Sequence, residues 1–193
     1  MKKTTNVMIV GVGGQGTLLA SKTLGKLLVS EGYDVKVSEV HGMSQRGGSV
    51  VTYVRFGEKV YAPIIDKGEA DYIVSFEKLE AARWLEYLKP GGQMITNLHE
   101  TDPMPVITGA MKYPENLIEK MEALGAKVDA IDALKLAEEA GSSKAVNLVL
   151  MGRLSRALDG LGITEEAWLK AIEACVPPKF LELNKKAFAL GRQ

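Results

Sequence analysis

The chain of 193 residues has one cysteine, Cys175, and two histidines, His41 and His99. One cysteine excludes an intramolecular disulfide and any all-cysteine zinc or iron–sulfur site. A zinc site would have to come largely from carboxylates, so no metal ligands are assigned. A reducing, cytoplasmic setting fits this cysteine usage best. Net charge is also missing, with 24 Lys and Arg against 24 Asp and Glu. The balance holds locally: residues 1–97 carry 12 basic and 10 acidic groups, and residues 98–193 carry 12 and 14. Without a basic face, nucleic acid and anionic membrane lose their electrostatic case as partners. A long apolar run is lacking too. Thr4 to Ser21 is uncharged behind Lys2 and Lys3, the outline of a signal peptide. Asn6, Gln15 and four glycines interrupt it, so neither a leader nor a membrane span is expected. No G-x-S-x-G elbow, Walker lysine or H-E-x-x-H is present, and no catalytic residue is assigned.

What is there reads as a globular protein, 46% hydrophobic and 25% charged, with a length that predicts one domain over residues 1–193. Asn6 to Val10 is a short apolar run ending in glycines, a buried strand. Gln15 to Glu31 carries Leu24, Leu27 and Leu28 on one face, with Gly32 just past the end, a helix. Val35 and Val37 alternate with polar residues in a second strand ending near Glu39. Ser49 to Phe56 is β-forming, and Gly57-Glu-Lys59 has the look of a hairpin turn returning through Val60 and Tyr61. Asp71 to Phe76 is a further strand. A helix from Glu77 to Leu88 follows, stopped by Lys89-Pro-Gly-Gly92, then a strand from Gln93 to Thr96. Pro103, Pro105 and Pro114 leave the next stretch unassigned. A helix near Glu115–Leu124 and a strand Ala126–Ile131 complete the alternation, and the chain is helical after Ala133. Thr164 suits a helix N-cap, and Trp168, Ala171, Ile172 and Cys175 make one apolar face, which predicts a buried structural thiol. The fold class expected is α/β: a Rossmann-like, open, mostly parallel sheet with an antiparallel hairpin and a helical C-terminal segment. Such sheets bind ligands beyond the carboxyl ends of their strands. That places Gly11–Gly16, Glu39–Gly48, Glu77 and Asn97–His99 on one rim.

Two motifs occupy that rim. Gly11-Val-Gly13-Gly14-Gln15-Gly16 satisfies G-x-G-x-x-G between a strand and a helix, the geometry that offers backbone N–H groups to a phosphate. Glu39 follows Gly16 by 23 residues, near the position of a ribose-binding acid. The same glycines serve equally as a tight crossover. His41-Gly-Met-Ser44-Gln-Arg46-Gly47-Gly48 is the second motif. Gly47 and Gly48 permit an anion-binding nest, Arg46 supplies a planar fork of donors, and His41 and Ser44 add polar tips. A flexible loop with one solvated arginine is the plain alternative. His99 is read as a capped or solvated histidine, and Trp84, Phe180 and Phe188 as core or partner-covered aromatics.

Together, GVGGQG (11–16) and EVHGMSQRGGSV (39–50) make the chain resemble the gamma-type subunits of the 2-oxoacid:ferredoxin oxidoreductases, and within them the indolepyruvate branch. Ser75–Ala81, Asn147–Gly152 and Glu182–Phe188 extend the likeness over nearly the whole chain. The resemblance implies a complex that decarboxylates a 2-oxoacid oxidatively onto coenzyme A and passes electrons to ferredoxin. It further implies that thiamine diphosphate, magnesium and the iron–sulfur clusters belong to a large alpha subunit. This chain would be an accessory subunit with no cofactor of its own, inactive alone, with a second copy as a further partner. It lacks the Gly-Asp-Gly and Asn-Asn pattern of thiamine diphosphate sites. For the glycine loop the resemblance leaves three roles open: packing, partner docking, or contact with coenzyme A phosphates. A stand-alone NAD(P)- or flavin-binding oxidoreductase, or a nucleotide-sensing module, is the competing reading, carried by the fingerprint alone.

Overall fold

A computed structural model describes residues 3–39, 44 and 46–193. His41, expected as a polar tip of the second rim motif, lies outside the described residues. Six strands form one sheet: β1 (Thr5–Val12), β2 (Asp34–Glu39), β3 (Ser49–Gly57), β4 (Ala70–Ser75), β5 (Leu88–Asn97) and β6 (Lys127–Ile131). Their order is β2-β3-β1-β4-β5-β6. β1, β4, β5 and β6 are parallel, and β3 alone runs against both its neighbours. The expected α/β class and mostly parallel sheet are therefore observed.

The apolar run in β1 has a direct cause. Val7 and Ile9 face one layer, built from α1 (Thr17–Ser30), α5 (Ala133–Ala140), α6 (Val146–Ala157), α7 (Glu165–Glu173) and α8 (Leu181–Arg192). Met8 and Val10 face the other, where α2 (Lys78–Arg83) and α4 (Leu117–Ala123) contribute Ala81 and Met121. A strand covered on both faces has no polar side to show. In α1, Leu24, Leu27 and Leu28 are buried as the periodicity predicts. Thr164 caps α7 by accepting the Ala167 N–H at 3.2 Å. Trp168 and Phe188 are core neighbours, their ring centroids 5.5 Å apart.

Three expectations need correction. Gly57-Glu-Lys59 does not start a paired return strand. Both edges of β3 are already filled, by β2 and β1, so no edge remains for it. Side chains satisfy the backbone instead. Val60 N–H donates to Asp34 Oδ2 at 2.8 Å, and Arg55 Nη1 donates to the carbonyls of Ala62 and Ile64 at 3.1 and 2.8 Å. The antiparallel pairing in the sheet is that of β3 with β2 and β1. Second, the helix after Glu77 ends at Arg83, and a single 3-10 turn over Leu85–Tyr87 leads into β5. Pro90, Gly91 and Gly92 fall inside β5 as an irregularity, since Ala70 faces Leu88 while Tyr72 faces Gln93. Third, Cys175 is half-buried, because it sits just past the α7 C-cap, Ala174. Val176 takes the buried position beside it. The unassigned stretch contains only a one-turn helix, α3 (Met104–Ile107).

Candidate functional site at the carboxyl rim of the sheet

The two glycine motifs form one structural unit. The β1–β3 ladder runs out at Val12 opposite Ser49, and the backbone continues it: Gly13 N–H donates to Gly48 O at 2.9 Å, and Gly47 N–H to Gly13 O at 3.2 Å. Gly48 N–H closes a turn onto Ser44 O at 3.0 Å. Arg46 sits exposed at the tip of that turn and makes no ion pair among the described residues. Gln15 folds back so that its Oε1 accepts the Val12 N–H at 2.8 Å. A Cβ on Gly11 would lie 2.8 Å from that oxygen and 2.9 Å from Phe76 Cβ, so the first glycine is demanded by packing. Gly14 and Gly16 have positive φ, and Gly16 is the N-cap of α1.

This geometry differs from a dinucleotide fingerprint in two ways. Both backbone groups of Gly13 are committed to the partner loop, so its N–H is not presented to a phosphate. The inserted β3 also moves β2 away from β1 by one strand spacing, about 4.8 Å. Glu39, at the end of β2, accepts the Ser21 hydroxyl of α1 at 2.7 Å. The acid expected near a ribose is thus engaged elsewhere.

A cavity of about 440 Å³ opens on the glycine loop, lined by Gly14–Gly16, Phe76, Asn97, His99, Leu134 of α5 and the turn into α6. Asn97 is a structural knot, accepting the Ala133 N–H at 3.1 Å and donating to Phe76 O at 3.4 Å. His99 is exposed on the wall. Sequence reasoning missed the opposite wall, which carries Ser143, Lys144 and Val146. The start of α1, which has no side-chain cap, faces the 3-10 turn Ser143–Ala145 that leads into α6 and is capped by Ser142. Asn147 is only 4% exposed, and its amide nitrogen lies 3.1 Å from where a Gly16 Cβ would be. Its Oδ1 accepts the Leu148 N–H, and its Nδ2 has no acceptor among the described residues. The uncapped start of α1 and the lysine suit an anion such as a phosphate, with the Asn147 amide nitrogen lying against Gly16. An asparagine opening an apolar helix was the available signal for this wall.

A second, smaller cleft of about 150 Å³ lies between Gly47–Ser49 and Thr101–Met104. Glu77 and Glu80 are buried at its floor. Tyr113 donates its hydroxyl to Glu77. Burial, that hydrogen bond and the charges of Glu77 and Glu100 push the Tyr113 phenol well above the usual tyrosine range. Among the described residues no group of three or more His, Cys, Asp or Glu is placed to hold a metal ion. No helix there is long and apolar enough to cross a membrane.

The fold defines an open-sheet α/β protein whose carboxyl rim presents backbone groups of the glycine loop together with Lys144 and His99. The chain belongs to the pyruvate ferredoxin/flavodoxin oxidoreductase family, which residues 6–193 match. It is 46% identical to the indolepyruvate oxidoreductase subunit IorB of Thermococcus kodakarensis, over 98% of this chain and 95% of that one. The gamma subunit of a keto/oxoacid ferredoxin oxidoreductase from Geobacter sulfurreducens shares its fold, with a TM-score of 0.70, 23% identity, and coverage of 97% and 95%. So does 2-oxoglutarate:ferredoxin oxidoreductase from Magnetococcus marinus, solved with 2-oxoglutarate, coenzyme A and succinyl-CoA bound. There the TM-score is 0.74 at 21% identity, and this whole chain corresponds to 31% of the longer one.

Proposed function

We propose that the chain, as one domain over residues 1–193, is the accessory subunit of a cytoplasmic indolepyruvate:ferredoxin oxidoreductase. The observation that carries this reading is the 46% identity, nearly end to end, with an indolepyruvate oxidoreductase subunit. In the reaction an arylpyruvate loses carbon dioxide, its acyl carbon passes to the sulfur of coenzyme A, and two electrons leave singly to ferredoxin. Thiamine diphosphate with magnesium supplies the decarboxylation chemistry, and iron–sulfur clusters carry the electrons, in the large subunit. The residues here do not fit those groups, since one half-buried cysteine cannot ligate a cluster. What this chain supplies is binding and orientation. The cavity at the start of α1, with Lys144 in its wall, receives a phosphate of coenzyme A, and Arg46 supplies a charged fork from the turn paired with Gly13.

Co-expression with a large subunit carrying ferredoxin-type cysteines tests this. The purified complex is expected to reduce ferredoxin with indolepyruvate and coenzyme A, and to turn over pyruvate and 2-oxoglutarate at least tenfold more slowly. A preference for either aliphatic acid overturns the substrate assignment. The chain purified alone is expected to be colourless and inert; stoichiometric iron in it contradicts the accessory role.

A further inference from the structure

Glu77 and Glu80 are buried carboxylates, 1% and 3% exposed, at the N-cap and in the first turn of a six-residue helix. A buried carboxylate is costly unless donors surround it. A helix N-cap needs only a Ser, Thr, Asp or Asn, so two buried glutamates exceed what α2 requires. Their partners explain the excess. Glu77 Oε2 accepts the Glu80 N–H at 2.8 Å, which caps α2. Its Oε1 accepts the Thr101 N–H at 3.2 Å and the Tyr113 hydroxyl. Glu80 Oε2 accepts the Ser49 hydroxyl and the Trp84 indole N–H, and its Oε1 accepts Arg83 at 3.1 Å. The donors come from both walls of the cleft that these carboxylates floor.

The Ser49 bond has a direct line to the rim. Ser49 follows Gly47 and Gly48, whose backbones pair with Gly13, and Arg46 precedes them. β3 is fixed by its ladder, but among the described residues of the turn at its head Ser44, Arg46 and Gly47 are all exposed. The carboxylate of Glu80 is a buried anchor that reaches that turn through Ser49.

We infer that Glu80, acting through Ser49, is a positioning residue that sets the Arg46 turn against the glycine loop, while Glu77 sets the facing wall through Thr101 and Tyr113. The inference rests on the proposed function only where Arg46 meets coenzyme A; the positioning itself is read without activity. Ser49→Ala removes the donor and leaves the strand intact, and Ser49→Thr keeps a hydroxyl. Amide hydrogen exchange on the isolated chain is expected to quicken at least tenfold at Gly13, Gly47 and Gly48 in Ser49→Ala and in Glu80→Gln. Exchange in the middle of β1 stays unchanged, and Ser49→Thr restores protection. Unchanged exchange at the three glycines overturns the inference, as does equal acceleration throughout β1. In the assembled complex Ser49→Ala is expected to raise the KM for coenzyme A about fivefold at constant kcat. Arg46→Ala is expected to cost less in the Ser49→Ala background than alone. Where Arg46→Ala is costly on its own, additive effects overturn the positioning of Arg46. If Arg46→Ala has no effect on its own while the glycines still lose protection, the coenzyme A reading fails and the positioning stands.

Discussion

The α6–α8 crossing and the rim both depend on glycine, for different physical reasons. At the crossing the two backbones touch: a Cβ on Gly152 would lie 2.1 Å from Phe188 O, and one on Gly191 would lie 2.0 Å from Val149 O. The missing atom is the point, and any side chain must drive the helices apart. At the rim, Gly14 and Gly47 have positive φ and nothing within 4 Å of the Cβ they lack. There the backbone angle is the point, and space is free. The first kind of glycine holds the helical layer together. The second shapes a surface left open to a ligand or a partner.

The largest effect that separates these uses is expected at the crossing. Gly152→Ala and Gly191→Ala each overpack rigid backbone and should cost about 3 kcal/mol or more. For a chain of this length that is a fall in Tm of roughly 6–12 °C. Gly14→Ala, by contrast, meets no atom and carries only the left-handed backbone penalty, about 1–2 kcal/mol. Thermal melting of the three variants side by side reads the difference directly. A Gly14→Ala chain that melts lower than Gly152→Ala would reverse the assignment of roles.

Arg46 sharpens the contrast from the functional side. The side chain is exposed, so Arg46→Ala is expected to shift Tm by no more than surface substitutions do, within about 0.5 kcal/mol. Turnover of the assembled complex at limiting coenzyme A should nevertheless fall about tenfold, the loss of one charge-assisted hydrogen bond of about 1.5–3 kcal/mol. Arg46→Lys should restore only part, because an ammonium lacks the bidentate fork. Equal turnover in wild type and Arg46→Ala would make the turn a solvated connection.

How much of this was legible in the sequence depended on whether the cause was local. β1 and α1 were readable because a doubly buried strand must be apolar throughout and a glycine run must end it. The cap at Thr164 was readable for the same reason, since its donor lies three residues on. The false hairpin after Gly57 was locally sensible. What ruled it out was the occupancy of both β3 edges, a property of the whole sheet. The rim glycines were found, but not that Gly13 would spend both its backbone groups on Gly47 and Gly48. Ser49, Thr101 and Tyr113 reach their glutamates across 31, 24 and 36 residues, and no periodicity records such pairs. Asn147 opens the family-like stretch Asn147–Gly152, but its place over Gly16 follows only from the fold.

The smallest expected effect concerns Tyr113 and pH. Its phenol is held well above the ordinary value of 10.0, first by burial and then by the Glu77 carboxylate. Above about pH 10 the unfolded chain gives up this proton while the folded chain keeps it, so the unfolded state binds fewer protons and stability falls as pH rises. Below that pH the contribution is fully present. Tyr53 and Tyr72 are raised in the same direction, mainly by burial, so wild type should lose stability from several phenols at once. Tyr113→Phe removes one of these contributions and leaves the other two. Urea midpoints measured between pH 8 and pH 11 should therefore decline less steeply in Tyr113→Phe than in wild type, with the two curves parallel below pH 9. Parallel curves across the whole range would mean that the phenol is neither buried nor bonded to Glu77 in solution, and the Thr101 wall of the cleft would lose that anchor.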